Sequence, residues 1–328
     1  MQQKSNRLFT LLRIALAVAM LVYLGQSGSI NWSSLSGLAK AWQYTLAAIM
    51  LFIIASTFMA LRLQILVNAQ HLSLSFFAAV QLTFIGIFFN TYLPGATGGD
   101  LVKIYYASKG NPGKRAEVVT ILFLDRFIGL FCLLSVPLVL APFFSDMVSS
   151  QNVLRGLLTI SLSVSLGIVI ISIIGARTDI ENNRFLGWVF EKLPLGGILK
   201  RVLSTIHFYR HHKITIIKAI LLSFIVQFLM IGVSLFVSEA INPSAFDARM
   251  IVLIPLGYLA TSLPVTPGGI GVGEAALESL FNLFGLQGGA EILLGWRIIM
   301  VIVGLIGLAF YMKGKKRFVF SPELENQN

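Results

Sequence analysis

Four charged residues stand inside or beside long apolar runs. Asp100 and Glu274 each close a Pro/Gly-rich break, and Arg126 and Arg297 lie within the apolar runs that follow. Charge in such surroundings is expensive unless it is paired. Asp125, Asp100 and Glu274 are the acids available as partners. One reading pairs Asp100 with Arg126 and Glu274 with Arg297 as ion pairs that pin the two breaks. The other has the arginines grip an anionic headgroup in bidentate fashion, with the carboxylates as exchangeable counter-ions or proton carriers. The readings are compatible, since an ion pair that substrate opens is a gate. Lys103 reads either as a surface residue or as a headgroup contact.

The breaks are Asn90-Thr91-Tyr92-Leu93-Pro94-Gly95-Ala96-Thr97-Gly98-Gly99-Asp100 and Pro264-Val265-Thr266-Pro267-Gly268-Gly269-Ile270-Gly271-Val272-Gly273-Glu274. Pro94, Pro264 and Pro267 stop helices. Gly95, Gly98 and Gly99 bare the backbone so that N–H groups can face a ligand. The segment from Asp100 to Ser108 can continue as a half-helix whose positive N-terminal end suits a phosphate or carboxylate. Gly268, Gly269, Gly271 and Gly273 repeat the arrangement ahead of Glu274 to Phe284. The bland alternative is that the glycines only permit tight turns and close packing. The candidate substrate-binding set is Asn90, Pro94, Gly95, Gly98, Gly99, Asp100, Lys103, Asp125, Arg126, Pro264, Pro267, Gly268, Gly269, Gly271, Gly273, Glu274 and Arg297.

Other chemistry is missing from the sequence. No phosphate-binding P-loop, nucleophile elbow or metal-spaced His/carboxylate cluster is present, so neither a catalytic residue nor a metal or cofactor is expected. His207, His211 and His212 have no acids or cysteines nearby and read as surface residues. The lone Cys132 excludes an intramolecular disulfide and a cysteine metal cluster.

The elements that carry these residues are set by hydrophobicity. With 56% hydrophobic and 12% charged residues and a mean hydropathy of +0.83, the chain of 328 residues has more apolar side chain than a soluble core of its size buries. Lipid is its solvent, and helices are the default spanning element. Apolar runs fall at 8–25, 44–66, 76–93, 118–141, 157–175, 216–240, 250–263 and 292–312. The first follows Lys4 and Arg7 without a small-x-small cleavage site and reads as a retained helix. The net charge of +11 falls in short loops, where it marks topology rather than nucleic-acid binding.

Charge placement decides whether the runs ending at Leu93 and Leu263 cross. If each dips in and returns, 20 basic residues, Arg62 among them, share one side against Lys40, Arg155 and Arg249 on the other, with Arg126 and Arg297 within the membrane. A full crossing before Pro94 would put the cluster from Lys103 to Arg115 outside. The expected fold is therefore an all-α polytopic membrane protein, one membrane domain over 1–328. It has six full transmembrane helices and two re-entrant hairpins entering from opposite faces, with both termini cytoplasmic. Offsets of 170 from Leu93-Pro94 to Leu263-Pro264 and 171 from Arg126 to Arg297 indicate an inverted repeat over 44–141 and 216–312. Transporters of that design bind substrate in a polar cavity near the midplane, where broken helices of the two halves meet. Residues 176–215, mixed basic and aromatic, read either as an amphipathic cytoplasmic helix on an anionic leaflet or as a solvated linker.

The two breaks, together with Leu124-Asp125-Arg126-Phe127-Ile128-Gly129-Leu130 between them, resemble the flippase-like membrane domain of lysylphosphatidylglycerol synthases across nearly the whole chain. Asp125 stands where that family usually has Glu, which keeps the charge. The chain ends at Asn328, just after its last span, so no aminoacyl-transferase domain is expected. The resemblance implies translocation of a membrane lipid in the bacterial inner membrane, either an anionic one or a polyprenyl-phosphate carrier. It also implies a lipid-modifying enzyme or glycosyltransferase as a possible partner. Two other classes fit the layout: an ion-coupled transporter of a water-soluble solute, and a non-transporting partner of a lipid-modifying enzyme.

Overall fold

The computed structural model describes residues 33–92, 98–111, 113–177, 206–243, 246–263 and 265–314, with Val22, Gln26 and Leu203. All of the expected first span at 8–25 except Val22, the residues Pro94, Gly95 and Pro264, and most of the segment 176–215 lie outside the described residues. The described chain is all helical: α1 (Trp42–Ala69), α2 (Phe76–Tyr92), α3 (Gly98–Lys109), α4 (Arg115–Leu140), α5 (Asn152–Arg177), α6 (Lys213–Ile241), α7 (Met250–Ser262), α8 (Val272–Asn282) and α9 (Gly289–Gly314). Five of these, α1, α4, α5, α6 and α9, are long and apolar enough to cross a bilayer, whereas α2 and α7 are shorter apolar helices. The protein is a multi-pass membrane protein.

α1 and α6 form the most extensive helix pair. Their shared face is made of small residues, with Ala48, Ala55, Ser56 and Ala60 on α1 and Ala219, Ser223 and Ser234 on α6 fully buried. Between helices in lipid, where apolar side chains gain little by leaving the tails, small residues let backbones approach and recover dispersion contacts. The hydroxyls add little disturbance because each has a partner: Ser56 Oγ donates to Phe52 O at 2.8 Å and Ser223 Oγ to Ala219 O at 2.8 Å, while Ser234 Oγ bonds Tyr258 Oη of α7 at 2.6 Å.

The helices on either side of each break fold back on one another. In the first pair, a Cβ on Gly99 would lie 2.0 Å from Gly86 O, and one on Gly86 would lie 2.2 Å from the Lys103 side chain. In the second pair, a Cβ on Gly273 would meet Thr261 at 2.2 Å, and one on Gly257 would meet Leu277 at 3.0 Å. Contacts that move toward the N-terminus on one helix as they move toward the C-terminus on the other define antiparallel hairpins, α2–α3 and α7–α8. The start of α2 and the end of α3 join one apolar cluster, with Leu74, Ala78 and Ala107 packed against Val118, Tyr209 and Ala219. The start of α7 and the end of α8 join another, where Met250, Leu253 and Phe281 pack with Leu154 and Ile292.

The second break turns through glycines whose backbone is left-handed: Gly268 at φ 63°, Gly269 at φ 67° and Gly271 at φ 83°. Gly269 is constrained twice, because its Cβ would also stand 2.2 Å from Thr261 O. Gly285 has φ 69° but nothing within 4 Å. Gly269→Ala is therefore expected to destabilise the protein by about 2–3 kcal/mol or more, and Gly285→Ala by only about 1–2 kcal/mol. Thermal unfolding of the two variants in the same detergent measures the difference.

Candidate functional site

Each hairpin presents an acid in the first turn of its returning helix, Asp100 in α3 and Glu274 in α8. That end of a helix carries partial positive charge, which favours a carboxylate there. Each acid is met by an arginine on the next long helix.

In the first hairpin, Arg126 Nη1 donates to Asp100 Oδ2, with the arginine side chain half exposed. Lys103, one turn along α3, brings Nζ to 4.0 Å from Asp100 Oδ1. Its stem is buried over Gly86, so Lys103 is neither a free surface residue nor remote from the pair. Asn90 Oδ1 accepts from the Gly99 N–H at 2.8 Å and ties the end of α2 to the start of α3. That N–H is one of the backbone donors the sequence leaves open for a ligand, and here a side chain takes it.

In the second hairpin, the fully buried Glu274 accepts from Arg297 Nε through Oε1 at 2.5 Å. Its Oε2 accepts from the Gly271 N–H at 2.7 Å, closing the start of α8 on itself. Arg297 Nη1 donates to Gly268 O at 2.9 Å, so the turn holds the arginine by its backbone as well. Arg297 Nη2 is buried without a hydrogen-bond partner among the described residues. Such a donor requires an explanation, and an anionic oxygen from a ligand is a chemically sufficient one.

The two hairpins are linked through α9. A Cβ on Gly304 would contact the Phe88 backbone at 3.5 Å and Thr91 Oγ1 at 3.9 Å, and Gly304 lies two turns, about 10 Å, beyond Arg297 on the same helix. Thr91 adjoins Asn90, which binds Gly99. The arginine of one hairpin thus stands on the helix that supports the tip of the other.

Asp125 does not join either pair. Successive helical residues point about 100° apart, so Asp125 and Arg126 cannot face the same partner. Asp125 turns inward to Arg62 of α1, with Nε to Oδ1 at 2.6 Å and Nη2 to Oδ2 at 3.0 Å, while Arg62 Nη1 donates to Ser223 Oγ of α6 at 2.7 Å. Arg62, Asp125 and Ser223 are all buried. Arg62 is thus a bundle residue rather than one of the loop charges that the sequence count assigns it to. The missed signal was an ionisable residue seven positions short of the end of α1, within a helix that runs three residues past the apolar stretch. Among the described residues, no group of three or more His, Cys, Asp or Glu could hold a metal ion.

The comparisons with known proteins add the family. Residues 10–307 match the lysylphosphatidylglycerol synthase TM region. The chain belongs to that family. Both hairpins and both acid–arginine pairs fall inside the matched residues. A UPF0104 membrane protein of Pyrococcus horikoshii is 23% identical over 300 residues, covering 85% of this chain and 89% of the relative. No solved structure matches.

Proposed function

We propose that this protein moves a lipid with an anionic or polyprenyl-phosphate headgroup between leaflets of the cytoplasmic membrane, by flipping or scrambling. The headgroup passes between the hairpins and the acyl chains stay in the bilayer. The observation that carries this reading is Arg297, whose Nη2 is buried and has no partner among the described residues, beside the tip of a hairpin, while its other donors hold Glu274 and Gly268. A phosphate oxygen completes that guanidinium, and Arg126 supplies the second cation from the opposite hairpin. The chain acts as a transporter rather than an enzyme. The family, whose name refers to a lipid synthase, supports a lipid-related membrane role.

The hairpins are re-entrant in this reading and the halves are inverted repeats. Support comes from the clusters that gather the start and end of each hairpin at one place, and from the matching acid and arginine positions. Both termini are then cytoplasmic. On a Cys132→Ser background, a cysteine at Lys109 should label from the cytoplasm and one at Asn242 from outside. Labelling at 109 from outside would remove the inverted-repeat reading.

Vesicles containing the protein should exchange a fluorescent phosphatidylglycerol between leaflets faster than protein-free vesicles, as read by dithionite quenching. Exchange equal to that of empty vesicles, for both phosphatidylglycerol and a polyprenyl phosphate, would reject translocation. Solute uptake without lipid exchange would select the ion-coupled class instead.

A further inference from the structure

Away from the hairpin tips, the described residues form an apolar groove of about 390 Å³ between α4, α5 and the start of α6. Leu124, Phe127 and Phe131 form one wall, Val169 and Ile173 a second, and Ile220 closes the third. Its size falls in the range of small-ligand sites. The groove runs into a wider vestibule of about 980 Å³ that shares Ile173, Arg210 and Lys213 with it and adds Arg177 and His211. Arg177 ends α5 and Lys213 begins α6, so the vestibule lies where two spans meet their connecting segment.

The two parts have opposite chemistry. The groove is lined almost wholly by hydrocarbon, with Ile173 and Ile217 still 47% and 57% exposed among the described residues. The vestibule carries Arg177, Arg210 and Lys213, and among the described residues no Asp or Glu lines either part. Among the described residues none of these three cations has a carboxylate within 4.0 Å, whereas the cations of both hairpins do. Among the described residues Arg210 donates only to neighbouring histidines, His211 Nε2 at 2.8 Å and His207, and meets no carboxylate. A cationic collar above a hydrocarbon slot at the end of a membrane span is complementary to one kind of molecule, an acyl chain carrying a phosphate.

We infer that this groove and vestibule bind an anionic phospholipid of the adjoining leaflet, one acyl chain lying against Phe127, Phe131 and Ile173 and the phosphate held by Arg210, Lys213 and Arg177. The inference does not rest on translocation, because none of these residues belongs to the acid–arginine pairs. The groove shares α4 with the first acid–arginine pair, and Tyr209, one of its lining residues, belongs to the apolar cluster that also holds the base of the first hairpin. Leu124, Phe127 and Ile128 flank the turn that carries Arg126, so a lipid seated there stands behind the arginine rather than in contact with it.

The test is native mass spectrometry of the full chain released from mild detergent with added phosphatidylglycerol or phosphatidylcholine. Wild type should retain phosphatidylglycerol and release phosphatidylcholine. Arg210→Gln with Lys213→Gln should lower retained phosphatidylglycerol about tenfold or more, given the contribution of each basic residue to anionic-lipid binding. Lys109→Gln with Lys114→Gln, which removes equal charge elsewhere, should leave it unchanged. Ile217→Trp, on an exposed rim position that does not threaten folding, should reduce retention by filling the slot. Equal loss in both charge-removing variants would mean diffuse attraction and overturn the site. Retention unaffected by Ile217→Trp would overturn it too, and would be the outcome if residues 178–202 of this chain filled the groove instead.

Discussion

Arg62→Met should destabilise the protein by about 3–5 kcal/mol, the largest single loss expected from any side chain described above. The guanidinium reaches α4 through Asp125 and α6 through Ser223, and all three groups are buried. Removing it strands a largely buried carboxylate that has no other cation within 4.0 Å among the described residues. Adding Asp125→Leu to Arg62→Met should restore most of the loss, because a buried ion pair replaced whole by apolar residues is often neutral or better. Thermal unfolding of the single and double variants in one detergent separates these outcomes. A single variant as stable as wild type would mean that the three-helix junction is held by packing alone. Asp125, one of the candidate substrate-binding residues in the sequence, pairs here with Arg62.

Arg297→Gln should combine two effects that a second substitution separates. Alone it leaves Glu274 fully buried without its cation, and the fold should weaken on the same scale as at Arg62. With Glu274→Gln added, two amides replace the pair, the Gly271 N–H keeps an oxygen to donate to, and the hairpin should fold. The double variant lacks the cation that receives the headgroup. A hydrogen bond to a charged group contributes about 1.5–3 kcal/mol, so lipid exchange should fall about ten- to a hundredfold while unfolding temperature stays close to wild type. Loss of both together would make Arg297 a purely structural pin.

The spans were legible because long apolar runs in a chain with few charges have one physical solution in lipid. The run at 216–240 became Lys213–Ile241, and the run at 118–141 became Arg115–Leu140. The pairs Asp100–Arg126 and Glu274–Arg297 were legible for a related reason. A charge inside such a run must find the opposite sign, and few acids were available. Arg62 was not legible as a bundle residue, because an arginine near the end of an apolar run can reach the headgroups as readily as a buried partner, and the sequence does not show which way it turns. The groove was also hidden, since its walls come from helices far apart in sequence and every residue in them serves equally well facing lipid. Gly99 marks a different limit: glycine spacing indicated a free N–H, yet the Asn90 amide that occupies it comes from nine residues upstream.

The most direct test is leaflet exchange of phosphatidylglycerol by vesicles carrying wild type, Arg126→Gln, Glu274→Gln with Arg297→Gln, or Lys109→Gln. Arg126 is half exposed, so its loss threatens the fold little, and Lys109 lies at the far end of α3. Exchange should be slowed in both arginine variants and unchanged in Lys109→Gln. Wild-type exchange in both arginine variants, with each protein intact by thermal unfolding, would contradict a headgroup path between the two hairpins.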